Sequence, residues 1–249
     1  MTVSPRPDSL AIVVALVLFA ATLMRSTFGF GEALISVPVL ALMIPVKIAV
    51  PLAVLASITT AAIVVAQDWK HVHVFSAGQL IISSLLGIPV GLWLLRAAPD
   101  AVVKALLALM ILVFSIYSLR SGTAGELSDD RFAWLFGFTS GVLGGAYGMN
   151  GPPLVVYGAL RKWSPVRFRA TLQGYFLVAS AVVMCGLWNA GLWTRDVSRF
   201  YEWSLPGVVV AVLLGRIANR RMEGQRFYRV IFAGLLVVGA TLLIEVFRQ

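Results

Sequence analysis

The chain reads as an all-α polytopic membrane protein, with about eight transmembrane helices in two homologous four-helix halves and a broken helix opening each half. Three observations carry that reading. Hydrophobic residues make up 59% of the 249 and charged residues 12%, with a mean hydropathy of +0.91, far from the soluble average of about 45–50% apolar and about 25% charged. Apolar runs of span length, about 20 residues each, alternate with short basic connections. Features of the first half recur in the second at a nearly constant spacing.

The first span starts near Leu10, with Asp8 and Ser9 as candidate caps, and is expected to stay in place as an uncleaved helix. It runs through Arg25 into the break Gly29-Phe30-Gly31, after which Glu32 leads an apolar segment to Ile44. Pro45 and Lys47 mark a turn before the uncharged run 48–66. The polar interval 67–73 holds Trp69, His71 and His73, and suits a membrane interface, where amphipathic rings sit well. Two histidines two residues apart do not share a helix face, so no metal site is expected there. Spans over 74–95 and 101–119 follow, separated by Arg96, Asp100 and Lys104.

Residues 120–131, RSGTAGELSDDR, form the one hydrophilic linker, dividing a first repeat at 1–119 from a second at 132–249. The second half opens on the uncharged run 132–160, turns through the basic stretch 161–169, and continues with spans over 170–193, 203–218 and 230–244. Residues 195–202 are expected to connect two of these. Matching features recur 119 to 124 positions apart: Gly29 with Gly148, Pro45 with Pro165, Gly91 with Gly215, Arg96 with Arg220. Duplicated halves with a site at their interface are a common plan of secondary transporters.

The formal charge of +9 comes from 20 Lys and Arg set in short connections. That pattern signals topology and gives no basic face for nucleic acid. If each broken run crosses once, the connections carrying 12 of these cations lie in the cytoplasm, and the termini and linker face outward. If each run instead turns back as a re-entrant hairpin, the parity changes and the halves become inverted. The lone Cys185 is expected to be a buried structural thiol.

The run 136–160, FGFTSGVLGGAYGMNGPPLVVYGAL, and its counterpart at 28–40, FGFGEALISVPVL, are where chemistry is expected. Gly and Pro inside an apolar span free backbone groups, tolerated only where protein or a polar cavity receives them. A helix restarting after Gly31 or Gly151 aims its unpaired N–H groups and positive dipole end into the break, an anion site needing no basic side chain. Asn150 stands where an N-cap would, and Pro152 and Pro153 suit a first turn. The simpler reading, close helix packing, fits Gly137, Gly141 and Gly145.

Candidate substrate-binding residues are therefore Gly29, Gly31, Gly148, Asn150, Gly151 and Pro152, with Arg25 and Gln173; Arg169 and Thr171 open the same span as Gln173. Glu32, an acid inside an apolar run, is either a carrier of the coupling proton or the partner of Arg25. No nucleotide loop, HExxH or Ser/His/Asp arrangement occurs, so neither an enzyme, a cofactor nor a metal is expected.

The paired motifs GFGEALISVPVL and GVLGGAYGMNGPPLVVYGAL, the latter followed by KWSPVRFRATLQGYF, resemble the sulfite exporter TauE/SafE family of membrane permeases over essentially the whole chain. The first motif departs from the family's run of glycines at Glu32 and Ala33. The resemblance implies a multi-pass permease of the bacterial inner membrane, moving sulfite, an organosulfonate or a related sulfur-containing or carboxylate anion. The expected partners are that small anion and the lipid bilayer, with a homo-oligomer left open; a non-transporting scaffold or assembly factor and an anion channel are the rival readings.

Overall fold

The computed structural model describes residues 7–68, 74–120, 127, 131–161, 165–219, 236–237, 239–241 and 243–244. Among these run nine helices: α1 (Pro7–Phe28), α2 (Glu32–Ala41), α3 (Val46–Asp68), α4 (Val74–Ala97), α5 (Asp100–Arg120), α6 (Ala133–Tyr147), α7 (Gly151–Leu160), α8 (Pro165–Asn189) and α9 (Arg195–Asn219). Six of them, α1, α3, α4, α5, α8 and α9, are long and apolar enough to cross a membrane. The fifth expected span is split into α6 and α7, and most of the eighth lies outside the described residues. Trp69, His71 and His73 and the basic positions 220–229 lie outside them as well.

Three boundaries differ from expectation. Helix α1 begins at Pro7, which puts Asp8 and Ser9 inside the helix and not at its cap. Helix α9 begins at Arg195, taking in residues expected to be a connection, because the Thr194 hydroxyl accepts from the Val197 N–H at 3.4 Å and Asp196 stands in the first turn. Helix α8 begins inside the basic turn, at Pro165, a residue pre-set for a first helical turn.

Both broken runs turn back on themselves. The hydroxyl of Thr22 donates to a carboxylate oxygen of Glu32, and that of Ser140 donates to the Asn150 carbonyl at 2.6 Å. Each pair is ten residues apart, which on a continuing helix would be about 15 Å, beyond the reach of either contact. Gly29 and Gly31, at φ 91° and 102°, and Gly148, at 67°, supply the left-handed backbone that the reversals require. The second reversal is tracked to its base: Phe136 and Tyr157 stack at 5.3 Å, and the Leu127 N–H donates to the Leu160 carbonyl at 2.9 Å. At ten residues, α2 and α7 are each about 15 Å long, half a hydrocarbon core.

The ends of the second run lie close together. Residue 127 of the linker is tied to Leu160 and, at 2.9 Å, to the Arg161 guanidinium. Leu127 of the linker and the start of the basic turn therefore share one end of the bundle, as the re-entrant reading of the second run requires.

Small residues set the helix pairings. Along α6, Gly137, Gly141 and Gly145 abut the α4 backbone at Leu80, Ser84 and Ile88, so the two helices run parallel and close. This is the packing role expected of those glycines. Helices α1 and α9 also run parallel, with Gly207 against Phe19 and Gly215 against the Leu23 carbonyl. Helices α3 and α8 meet at the centre, where the Ser57 and Ser180 hydroxyls lie 3.0 Å apart. Cys185 is exposed on α8, contrary to the expected burial. In a bilayer the outer face of a helix is as apolar as its packed face, so an apolar neighbourhood does not imply an interior position.

Candidate anion site between the two hairpins

A cavity lies where the first turns of α2 and α7 meet, lined by residues 31–34 and 148–152 together with Arg25, Phe30, Ser57 and Phe176. Its volume, about 20 Å³, is room for about one water. That is less than an organic anion occupies, so binding one requires the lining to move apart.

Arg25 is the hub. It is 2% exposed, and its Nη1 donates to Glu32 Oε2 at 2.6 Å, to the Ser57 hydroxyl at 2.7 Å and to the Ser57 carbonyl at 3.3 Å. Nη2 donates to Gln173 Oε1 at 3.2 Å, and the guanidinium stacks 4.8 Å over the Phe176 ring. Its Nε is buried without a partner. Glu32, 1% exposed, is equally engaged: Thr22 and, at 3.2 Å, Thr60 donate to Oε1 while Arg25 takes Oε2. The expected Arg25–Glu32 pair thus forms across the break, the reversal bringing together residues that an unbroken helix would hold about 10 Å apart along its axis.

Gln173, from α8, closes the network, its Nε2 donating to the Gly29 carbonyl at 3.0 Å. One side chain of the second half thereby holds both the guanidinium and the first break. Thr171, on the same helix, is buried with its hydroxyl unpartnered. The side chain of Arg169 lies outside what the structure describes.

The two helix starts are unequal. Helix α2 has Gly31 at its N-cap with no side-chain cap, so the N–H groups of Glu32, Ala33 and Leu34, all at the cavity, lack intrahelical acceptors. At α7 the corresponding positions are Gly151, Pro152 and Pro153, and two of these have no N–H to give. Asn150 stands before α7 as expected but does not cap it: its Oδ1 is buried and unpartnered, because an N-cap side chain bonds the second or third residue of the helix and both are proline. It lies against Gly144, where a Cβ would strike it.

Ser57, Ser180, Thr22, Thr60 and Phe176 belong to the site but escaped sequence reasoning. Hydroxyls in apolar spans are too common to single out, and the pairing of Ser57 with Ser180 shows only as an Ala-Ser dipeptide recurring 123 positions later.

A multi-helix membrane bundle that keeps an arginine, a glutamate and two helix starts around an interior cavity belongs to the class of membrane transport proteins. Comparison with known proteins gives the family: the model described as Sulfite exporter TauE/SafE matches residues 14–243, and the chain belongs to that family. The chain is also 28% identical over 179 residues to a protein of Cupriavidus necator named "Probable sulfite/organosulfonate exporter TauE", an alignment covering 71% of this chain and 69% of that one. No solved structure matches.

Proposed function

We propose that the protein is a secondary transporter of a small anion, sulfite, an organosulfonate or a related sulfur-containing or carboxylate anion, in the bacterial inner membrane. The observation that carries this reading is Arg25, a buried guanidinium at a cavity into which two helix N-termini point. The anion would lie against Arg25 and the free N–H groups of α2, with Gly29, Gly31, Gly148, Gly151 and Pro152 shaping the pocket and Asn150 and Gln173 supplying amide groups. Glu32 would take the coupling proton. A scaffold has no use for so costly a buried polar cluster, and a pocket with room for about one water suits alternating access better than an open channel.

In this proposal the repeats span 1–119 and 132–249 and are inverted. The pairing pattern supports it: α1 lies on α9 as α6 lies on α4, and Gly215 meets the Leu23 carbonyl as Gly91 meets that of Val142. Ser57 and Ser180 then mark the pseudo-twofold axis. With each broken run returning to its own side, the connections around 70, 120–131, 161–169 and 216–229 fall together. They hold 12 Lys and Arg against 7 opposite, which would make theirs the cytoplasmic side.

Flux of labelled sulfite and methanesulfonate into proteoliposomes tests the function. Purified protein should move them faster than empty vesicles, saturably, and Arg25→Ala should fall to the vesicle baseline. Equal flux with and without protein rejects the reading.

A further inference from the structure

The charge inventory of the cavity bears on what crosses with the anion. Building on the transport reading above, we propose that the site carries one monovalent anion together with one proton, moving no net charge and excluding dianions.

Among the described residues, Arg25 and Glu32 are the only charged side chains at the cavity, both buried and paired at 2.6 Å. The groups facing the pair are Thr22 from α1, Ser57 and Thr60 from α3, and Gln173 and Phe176 from α8. Across the cavity, α7 contributes Gly151 and Pro152 to the lining, and neither is titratable. Formal charge in the resting cavity is zero.

An incoming anion meets a guanidinium whose Nη1 is already held by Glu32 Oε2 and by both oxygens of Ser57. The carboxylate is in effect a tethered anion in the substrate's place. Displacing it unprotonated would leave a carboxylate without its cation in a low-dielectric interior, a state proteins avoid by taking up a proton. Protonation balances the exchange: an O–H bond forms at Oε2 with a proton from water, the Arg25–Glu32 ion pair opens, and the anion pairs with Arg25. Charge in the cavity returns to zero.

The hydroxyls of Thr22 and Thr60 continue to donate to Oε1, so the neutral acid keeps its place. On release the proton leaves with the anion as the ion pair re-forms. A dianion leaves one uncompensated negative charge even after Glu32 is neutral. The helix ends do not make up a full charge: that of α2 amounts to about half an elementary charge, and that of α7 has lost two N–H groups to proline. Hydrogensulfite and monosulfonates satisfy the balance; sulfate and disulfonates do not.

Methanesulfonate, a monoanion throughout the usable pH range, and ethane-1,2-disulfonate are the probes. In proteoliposomes with the membrane potential clamped at zero, a pH gradient should concentrate methanesulfonate about tenfold per pH unit, as one coupled proton requires. An imposed potential without a pH gradient should drive no accumulation, and the disulfonate should not move. In weakly buffered detergent solution, methanesulfonate binding should take up one proton per protein, and binding by Glu32→Gln none. Methanesulfonate transport that follows potential, or binding without proton uptake by the native protein, overturns this inference and leaves the transport reading standing. Absence of both binding and flux removes the two together.

Discussion

The hairpin of α1 and α2 and the hairpin of α6 and α7 are closed by the same device. In each, a hydroxyl bonds a group ten residues later across a left-handed glycine. Their chemistry is divided. The first brings Arg25, Glu32 and three uncapped N–H groups to the cavity; the second brings prolines, glycines and an amide whose oxygen has no partner. The backbone reversal is thus a scaffold that either half can build, whereas both buried charges at the cavity sit in the first hairpin. One guanidinium and one carboxylate balance; a copy of each in both halves would bury four charges in a cavity of about 20 Å³, at a desolvation cost of several kcal/mol per ion.

The sharpest way to break the comparison is sidedness, an all-or-none result. With Cys185 replaced by Ser, single cysteines at 124 in the linker and 163 in the basic turn should both be labelled by an impermeant maleimide from the same face of sealed vesicles. Labelling from opposite faces would mean that the second broken run crosses the membrane, and the likeness of the hairpins would fail.

Next in size is the stability difference between the hairpins. Arg25→Ala leaves Glu32 buried without its cation and should destabilise the protein by about 3–5 kcal/mol. Asn150→Ala removes an amide whose oxygen makes no hydrogen bond and should change stability by less than about 1 kcal/mol, while still weakening methanesulfonate binding. Thermal unfolding in detergent reads both. Equal losses would show that the second hairpin carries structural load that the hydrogen bonds do not reveal.

How much of this division was legible follows from what each feature depends on. Gly29, Gly31 and Gly148 mark the breaks in the sequence itself, because an apolar span rarely contains residues that free its backbone. Glu32 and Arg25 stood out for the same reason, as charges where charge is costly. The reversals were not legible, since they rest on hydroxyl contacts such as Thr22 to Glu32, and threonine in an apolar helix carries no directional signal. In the sequence the glycines and prolines of the second break are the more conspicuous and point to it as the cleaner anion site. The opposite balance follows from counting N–H groups once the helix start at Gly151 puts Pro152 and Pro153 at the two positions a cap would bond. Cys185 shows the remaining blind spot, for hydropathy does not tell a packed face from a lipid-facing one.

That count of N–H groups supplies the smallest and most specific test. Pro153→Ala returns a donor to the third residue of α7, within the usual reach of an N-cap side chain. In the native protein the Asn150→Ala change is expected to be nearly neutral. In the Pro153→Ala background the same change should cost about 1 kcal/mol, because Asn150 would then cap the helix. The coupling between the two substitutions, read from a double-mutant cycle of unfolding free energies, isolates the cap from the lost rigidity of proline, which enters both arms equally. Anion affinity should move the other way, falling in Pro153→Ala as the Asn150 amide turns from the cavity to its own helix. If the coupling is absent while affinity is unchanged, proline is not what keeps Asn150 free, and the chemical contrast between the hairpins rests on Arg25 and Glu32 alone.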